Sequence, residues 1–139
     1  MGDCLFCKIV SGEIPSYAVY EDETFTVILD KFPSGVGHCL IIPKKHAETA
    51  LDVPDNILSA VFPLAKKVAA GVEAVTACDG VNIIQNNGTA AGQTIPHFHV
   101  HVIPRFFGDK MNFSYKPINP SEDELFLTAE KLKGVFDNV

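Results

Sequence analysis

Short apolar runs bounded by turn residues divide the first third of the chain. Tyr17 to Tyr20 and Thr24 to Leu29 read as two strands, and Glu21-Asp22-Glu23 between them reads as the turn of a hairpin. Asp30 to Gly37, with Pro33, Gly35 and Gly37, has the chemistry of a loop. Cys39 to Ile42 is a third apolar run, stopped by Pro43. Over Asp52 to Ala77 the period changes. Ile57, Leu58, Val61, Ala65, Val68, Val72 and Val75 recur at three- and four-residue steps, which places them on one stripe of a long helix. Asp52 is placed to cap that helix and Pro54 suits its first turn. Pro63 conflicts with the pattern, because a proline in a helix interior costs about 3 kcal/mol. A kink at Pro63, or two helices meeting there, is expected.

Asp79-Gly80 ends the long helix, Val81 to Gln85 reads as a fourth strand, and His97 to Ile103 reads as a fifth, closed by Pro104. Asn86 to Thr94 between them is a loop rich in Gly, Asn and Ala. Residues 4–10 form a short helical or irregular start, and residues 108–120 look irregular. Ser121 to Val135 reads as a C-terminal helix, with Ser121 and Glu124 in capping-box positions and Leu125, Leu127, Leu132 and Phe136 as its apolar surface. The whole predicts an α+β fold: a five-stranded, mainly antiparallel sheet with one long and one C-terminal helix.

At 139 residues the chain suits one domain. With 47% hydrophobic and 20% charged residues, the composition is that of a soluble globular protein. A formal charge of −6 argues against a nucleic-acid partner. No segment approaches the roughly 20 apolar residues of a membrane helix, so no membrane partner is expected. The N-terminus lacks a basic region followed by an apolar run, and position 6 is Phe where a myristoylation signal needs Ser or Thr. A cytoplasmic location follows as the expectation. There the four cysteines stay reduced, as metal ligands or core residues.

The chemistry concentrates in His97-Phe98-His99-Val100-His101. On a strand, His97, His99 and His101 share one face, with neighbours roughly 6.7 Å apart, while Phe98, Val100 and Val102 face the core. A purely structural row would bury several polar rings that each need partners. Two functional readings compete. One is a three-histidine metal site. The other is phosphoryl chemistry with a histidine nucleophile, which needs one ring nitrogen held as N–H, the other free, and donors for phosphate oxygens. Gly88, Gly92 and Thr89-Ala90-Ala91 permit close backbone approach to an anion, and Asn86, Gln93 and Thr94 add neutral polar groups. This loop suits phosphate binding better than metal ligation.

His97-Phe98-His99-Val100-His101-Val102-Ile103 resembles the signature of the histidine triad (HIT) family, in which histidines alternate with apolar residues. The likeness extends to Cys4–Val10, Gly12-Glu13-Ile14-Pro15, Gly37–His46, Gln85–Gly88 and Ala91–Thr94. It implies a single HIT domain over residues 1–139, with its core at about 4–107 and a C-terminal extension at 108–139. It also implies pairing as a homodimer. By this resemblance His99 attacks the α-phosphorus of a nucleotide and becomes a nucleotidyl-histidine, and the His97 carbonyl holds its far nitrogen. His101 and Thr94 assist the leaving group and bind phosphate oxygens. His38, Asn86, Gly92 and Gln93 line the phosphate site, and Asp30 holds the ribose hydroxyls. The implied activity is hydrolysis or transfer at the α-phosphate of purine nucleotide conjugates. The family includes nucleoside phosphoramidases and dinucleoside polyphosphate hydrolases. Ala91–Thr94 and Ile103-Pro104-Arg105 lean toward the branch that cleaves diadenosine polyphosphates, and the CxxC start with Gly12-Glu13-Ile14-Pro15 leans toward the general bacterial-type branch, whose substrates are broad. The alternative is a nucleotide-binding regulatory protein with incidental hydrolysis.

Cys4-x-x-Cys7 has a spacing common in zinc sites but lacks two further ligands on its own. In zinc-containing members of the family, the residues matching Cys4, Cys7, His46 and His97 bind one structural zinc. A closed four-ligand set leaves no open position to activate water. Cys39, in an apolar strand, and Cys78, at a helix end, read as packed residues.

Overall fold

The computed structural model describes residues 2–138. Its elements run α1 (Leu5–Val10), β1 (Ala18–Glu21), β2 (Phe25–Leu29), β3 (Cys39–Pro43), α2 (Asp55–Thr76), β4 (Gly80–Ile84), β5 (Val100–Arg105) and α3 (Glu122–Phe136). The first hairpin closes through Asp22, whose carboxylate accepts the N–H groups of Thr24 and Phe25 at 2.8 and 2.7 Å. The sheet has five strands in the order β1-β2-β3-β5-β4. Every pairing in it is antiparallel.

The alternation along the strands explains the layering. Phe25 and Val27 of β2, Cys39 and Ile41 of β3, and Val100 and Val102 of β5 point to one face. There they meet Ile57, Val61, Leu64, Ala65 and Val72 of α2 in the main core. Ile28, Leu40 and Ile42 point to the opposite face and pack with Phe6 of α1. Central β3 is buried along its whole length because both faces are covered. The helix stripe therefore fills one side of the sheet, and the other side is left to α1 and the functional groups.

Three local expectations are corrected. The fifth strand does not begin at His97: the ladder starts at Val100, and residues 97–99 run outside the sheet. Extending the β3–β5 register beyond Ile41↔Val100 would set Pro43 against Phe98, and Pro43 has no N–H to offer. Phe98 donates to the Ala47 carbonyl at 2.7 Å instead. Second, α2 runs unbroken through Pro63. Ser59 and Pro63 both lie on its exposed side, so the carbonyl that loses its partner is open to water. Third, Asp52 does not cap α2. It stands too far before Asp55 to reach the first free N–H groups, and accepts from the Thr49 N–H and hydroxyl at 3.2 and 3.0 Å. Val75, at the end of the predicted stripe, is exposed.

The capping box of α3 forms as its sequence predicts, but no residue of this helix is buried. None of the helices is long and apolar enough to cross a membrane, among the described residues.

Candidate active site

The loop between β2 and β3 carries Asp30 at its start and His38 at its end. Asp30 N–H bonds the His38 carbonyl at 2.8 Å, which pins the loop shut. Gly37 makes the return possible: its φ is +100°, and a Cβ there would lie 2.8 Å from the Thr76 methyl. His38 is buried and reaches the β5 side chain His101, with Nε2 of His38 2.9 Å from Nδ1 of His101. Asp30 lies beside them, its carboxylate 3.5 Å from His38 Nε2.

The hydrogen-bond partners settle which nitrogens carry protons. Ser34 N–H can only donate, and it points at Nδ1 of His38 at 3.1 Å. The proton of neutral His38 is therefore on Nε2 and is donated to Nδ1 of His101. That leaves His101 with its own N–H on Nε2. The carbonyl of His97 can only accept, and Nδ1 of His99 lies 2.7 Å from it. His99 thus carries its proton on Nδ1 and leaves Nε2 as a bare lone pair. By the same logic the Pro43 carbonyl, 2.8 Å from Nε2 of His97, leaves Nδ1 of His97 bare. Burial pushes the imidazoles of His38, His99 and His101 below their ordinary range, and the Asp30 carboxylate partly offsets this. The neutral forms that the network requires are the favoured ones.

His99 and His101 sit with ring centroids 4.9 Å apart at the end of a cleft of about 640 Å³. Its lining is largely apolar, with Phe6, Ile9, Ile14, Leu29 and Ile95, and its polar groups include Asp30 and Thr94. That lining suits a flat aromatic ring, and His99, His101, Asp30 and Thr94 offer partners to a polar group attached to it. Phe6, Ile14 and Tyr17 were not singled out from the sequence; the spacing of Leu5, Phe6 and Ile9 on a short amphipathic helix was the available signal.

The Asn86–Thr94 loop is brought to the histidines only in part. A single 3-10 turn, Thr89–Ala91, absorbs much of its backbone. Ala91 and Gln93 N–H groups bond the Gly88 carbonyl, and Gly92 N–H bonds that of Thr89. Gln93 is buried with its amide fully engaged: its oxygen accepts from Gly88 N–H at 2.7 Å, and its nitrogen donates to the carbonyls of Glu48 and Ile95 at 2.7 and 3.0 Å. In this structure Gln93 braces the loop, while the exposed Thr94 lines the cleft.

Behind His99 lies a second cluster. The donor atoms of Cys4, Cys7, His46 and His97 all lie within 4.8 Å of one another. Sulfur–nitrogen separations are 3.3–3.6 Å, and the two imidazole nitrogens are 3.1 Å apart. A tetrahedral zinc with ordinary bond lengths sets roughly 3.6 Å between S and N ligands and roughly 3.3 Å between N ligands. The bare Nδ1 of His97 faces the other three donors, so the four residues fit such an ion in both spacing and donor chemistry. Cys39 is buried in the core and Cys78 is partly buried; both are free thiols remote from this cluster in sequence and role.

Comparison with known proteins identifies relatives of this chain. The HIT domain family model matches residues 11–108. A HIT-like protein of Borreliella burgdorferi is 42% identical over 96% of this chain and 93% of its own length. Adenylylsulfatase HINT3 of Arabidopsis thaliana is 43% identical over 74% of this chain and 52% of its own. Adenosine 5'-monophosphoramidase HNT1 of Saccharomyces cerevisiae is 41% identical over 73% and 62%. Among solved structures, one from Streptococcus mutans superposes with a TM-score of 0.92 at 41% identity, covering 98% of this chain and 87% of that one. A zinc-bound histidine triad family protein from Mycobacterium smegmatis superposes with a TM-score of 0.75 at 40% identity, covering 84% and 85%.

Proposed function

The chain belongs to the HIT family, and from that premise we propose that it is a cytoplasmic nucleotidyl hydrolase or transferase acting at the α-phosphorus of purine nucleotide conjugates. The carrying observation is the bond from Nδ1–H of His99 to the His97 carbonyl, which leaves a bare Nε2 at the end of an apolar cleft. That is the state a histidine nucleophile needs.

In this reading the base occupies the apolar end of the cleft and Asp30 accepts hydrogen bonds from the ribose hydroxyls. Nε2 of His99 forms a bond to the α-phosphorus as the bond to the leaving group breaks. His101 through its Nε2–H, and Thr94 through its hydroxyl, hydrogen-bond the leaving atom and phosphate oxygens, and the leaving group takes its proton from solvent. Asn86 and Gly92 flank the phosphate, with Gln93 holding the loop behind them. Water then attacks the phosphorus as the P–Nε2 bond breaks, losing one proton to solvent, which releases the nucleoside monophosphate and restores the lone pair of His99. Dividing the reaction replaces one difficult step with two easier ones. Cys4, Cys7, His46 and His97 would hold a structural zinc, which supplies a cross-link between the N-terminal segment and the catalytic strand.

The relatives named as a monophosphoramidase and an adenylylsulfatase support an adenylyl group carrying a small leaving group as the substrate class. Acid quenching with radiolabelled substrate tests the proposal. Label is expected on the peptide containing His99 and absent in His99→Ala. Label on His101 or His38, or substantial turnover in His99→Ala, overturns it. The ratio of kcat/KM for adenosine phosphoramidate to that for diadenosine tetraphosphate then decides between the two conjugate types.

A further inference from the structure

Phe6 occupies a position that neither the histidine motif nor the cysteine motif explains. It lies between Cys4 and Cys7 on α1, a helix of six residues that is too short to hold its shape alone. Cys4 caps this helix, its sulfur accepting the Cys7 N–H at 3.4 Å. The helix is thus tied by its thiols to the four-donor cluster on one side. On the other it is tied by Phe6, 4% exposed and packed with Ile28, Leu40 and Ile42. The Phe6 ring also stands edge-on to two imidazoles, with centroids 4.9 Å from His99 at 81° and 5.9 Å from His97 at 78°.

The geometry around His99 gives this contact a purpose. Its hydrogen bond to the His97 carbonyl orients Nδ1, and the groups packed against the ring limit the freedom left in its side-chain torsions. Two rings stand against it, those of Phe6 and His101. His101 is itself needed at the leaving group, so Phe6 is the apolar ring of the two. Edge-to-face aromatic contacts favour one ring arrangement over others beyond what burial alone supplies. A nucleophile displaced by about 1 Å can lose on the order of 10²-fold in rate.

We propose that Phe6 is a positioning residue that holds the His99 imidazole for attack, and that Cys4 and Cys7 influence the reaction through it. The inference rests on His99 being the nucleophile. A local event at the thiols, such as metal loss, then alters the nucleophile's order without any group of the cluster touching substrate.

The test uses full-length Phe6→Leu and, alongside it, Phe6→Met, which fills the same space with a flexible chain; thermal melting confirms that each is folded. The single-turnover rate of nucleotidyl-enzyme formation is expected to fall about 10- to 100-fold, several-fold more than any weakening of the nucleoside monophosphate Kd, since Phe6 also lines the cleft. In proton NMR the Nδ1–H signal of His99, protected by its buried carbonyl partner, is expected to lose protection in both variants. Chelation of the unmutated protein should reproduce both losses, and should add no more than about twofold to the rate loss of Phe6→Leu. A folded variant that reacts within threefold of the unmutated rate overturns the proposal. So does a Kd that weakens as much as the rate, which would make Phe6 only a pocket wall. A full further rate loss on chelating Phe6→Leu overturns the link to the cluster. If the unmutated protein forms no nucleotidyl-histidine, the functional reading fails instead. The NMR arm still decides on Phe6, and an unchanged Nδ1–H signal overturns it.

Discussion

His38 donates from Nε2 to Nδ1 of His101 across 2.9 Å, in a direction set by the Ser34 N–H at the far nitrogen of His38. His101 is thereby given one tautomer, with its proton facing the proposed leaving group. His38→Ala removes the partner, frees His101 to take either tautomer, and leaves a buried nitrogen unsatisfied. The rate of leaving-group departure is expected to drop about 10- to 100-fold, and His101→Ala to drop it by about 10²-fold or more. Nucleoside monophosphate binding should change less than about tenfold in either. Measuring kcat/KM for a series of leaving groups checks the assignment, because both variants should penalise poor leaving groups more than good ones. Equal losses across the series would remove His101 from the leaving-group side.

The four-donor cluster predicts one zinc per chain. Nδ1 of His97 is bare only because Nε2 is committed to Pro43, so the imidazole is already oriented as a ligand. Metal analysis of protein purified without chelator is expected to find about one equivalent, and Cys7→Ser to lose most of it. Because binding to a preformed site is folding energy, removal should lower the melting temperature by roughly 10 °C, corresponding to about 3 kcal/mol. Far less than one equivalent, with an unchanged melt on chelation, would count against the site.

Much of this site was legible because its residues are close in sequence and carry distinctive chemistry. The alternation of His97, His99 and His101 was readable, and so was the pairing of Cys4 with Cys7. The strand carrying the row was misplaced by three residues because local pattern does not show what an element pairs with. The missing N–H that ends the ladder belongs to Pro43, more than fifty positions away. Pro63 misled for a similar reason: its cost depends on which side of the helix faces water, and that is set by packing. The Gln93 amide illustrates a third limit. A polar side chain beside a glycine-rich loop looks available to a ligand until its bonds to Gly88, Glu48 and Ile95 are known.

Three imidazoles of the site, those of buried His38 and His99 and of half-buried His101, make stability depend on pH. Those of His38, His99 and His101 are depressed mainly by burial. Above the ordinary imidazole pKa of about 6.5 both folded and unfolded chains hold these groups neutral, so no difference arises. As pH falls through 6.5 the unfolded chain takes up protons first, which favours unfolding. The loss continues until the folded-state pKa values are passed. The unfolding free energy is therefore expected to fall between pH 7.5 and 5.5, with a slope of at most about 1.4 kcal/mol per pH unit for each histidine. Denaturant melts across this range check the sign, and His101→Gln should flatten the slope. A protein more stable at pH 5.5 than at 7.5 would contradict the neutral network.

The C-terminal helix carries the last prediction. α3 has a complete capping box, yet it buries none of its residues, and Leu125, Phe126, Leu127, Leu132, Val135 and Phe136 are all substantially exposed. A helix of 15 residues is marginal in water without a packed face. Elsewhere β4 forms an open edge of the sheet with Ile83 partly exposed, and Phe62 on α2 is 66% exposed. An open edge and uncovered apolar side chains call for a cover. We propose a homodimer in which β4 and α2 of two copies meet and α3 gains its packing surface from the assembly. Light scattering at micromolar concentration should give twice the 15.1 kDa chain mass. Removing residues 114–139 should weaken association at least tenfold, and Phe62→Glu or Ile83→Lys should shift the protein toward monomer. If the mass is that of one chain, α3 must instead melt as an independent segment, and circular dichroism of the truncated chain would then lose its signal with no change in the unfolding of the core.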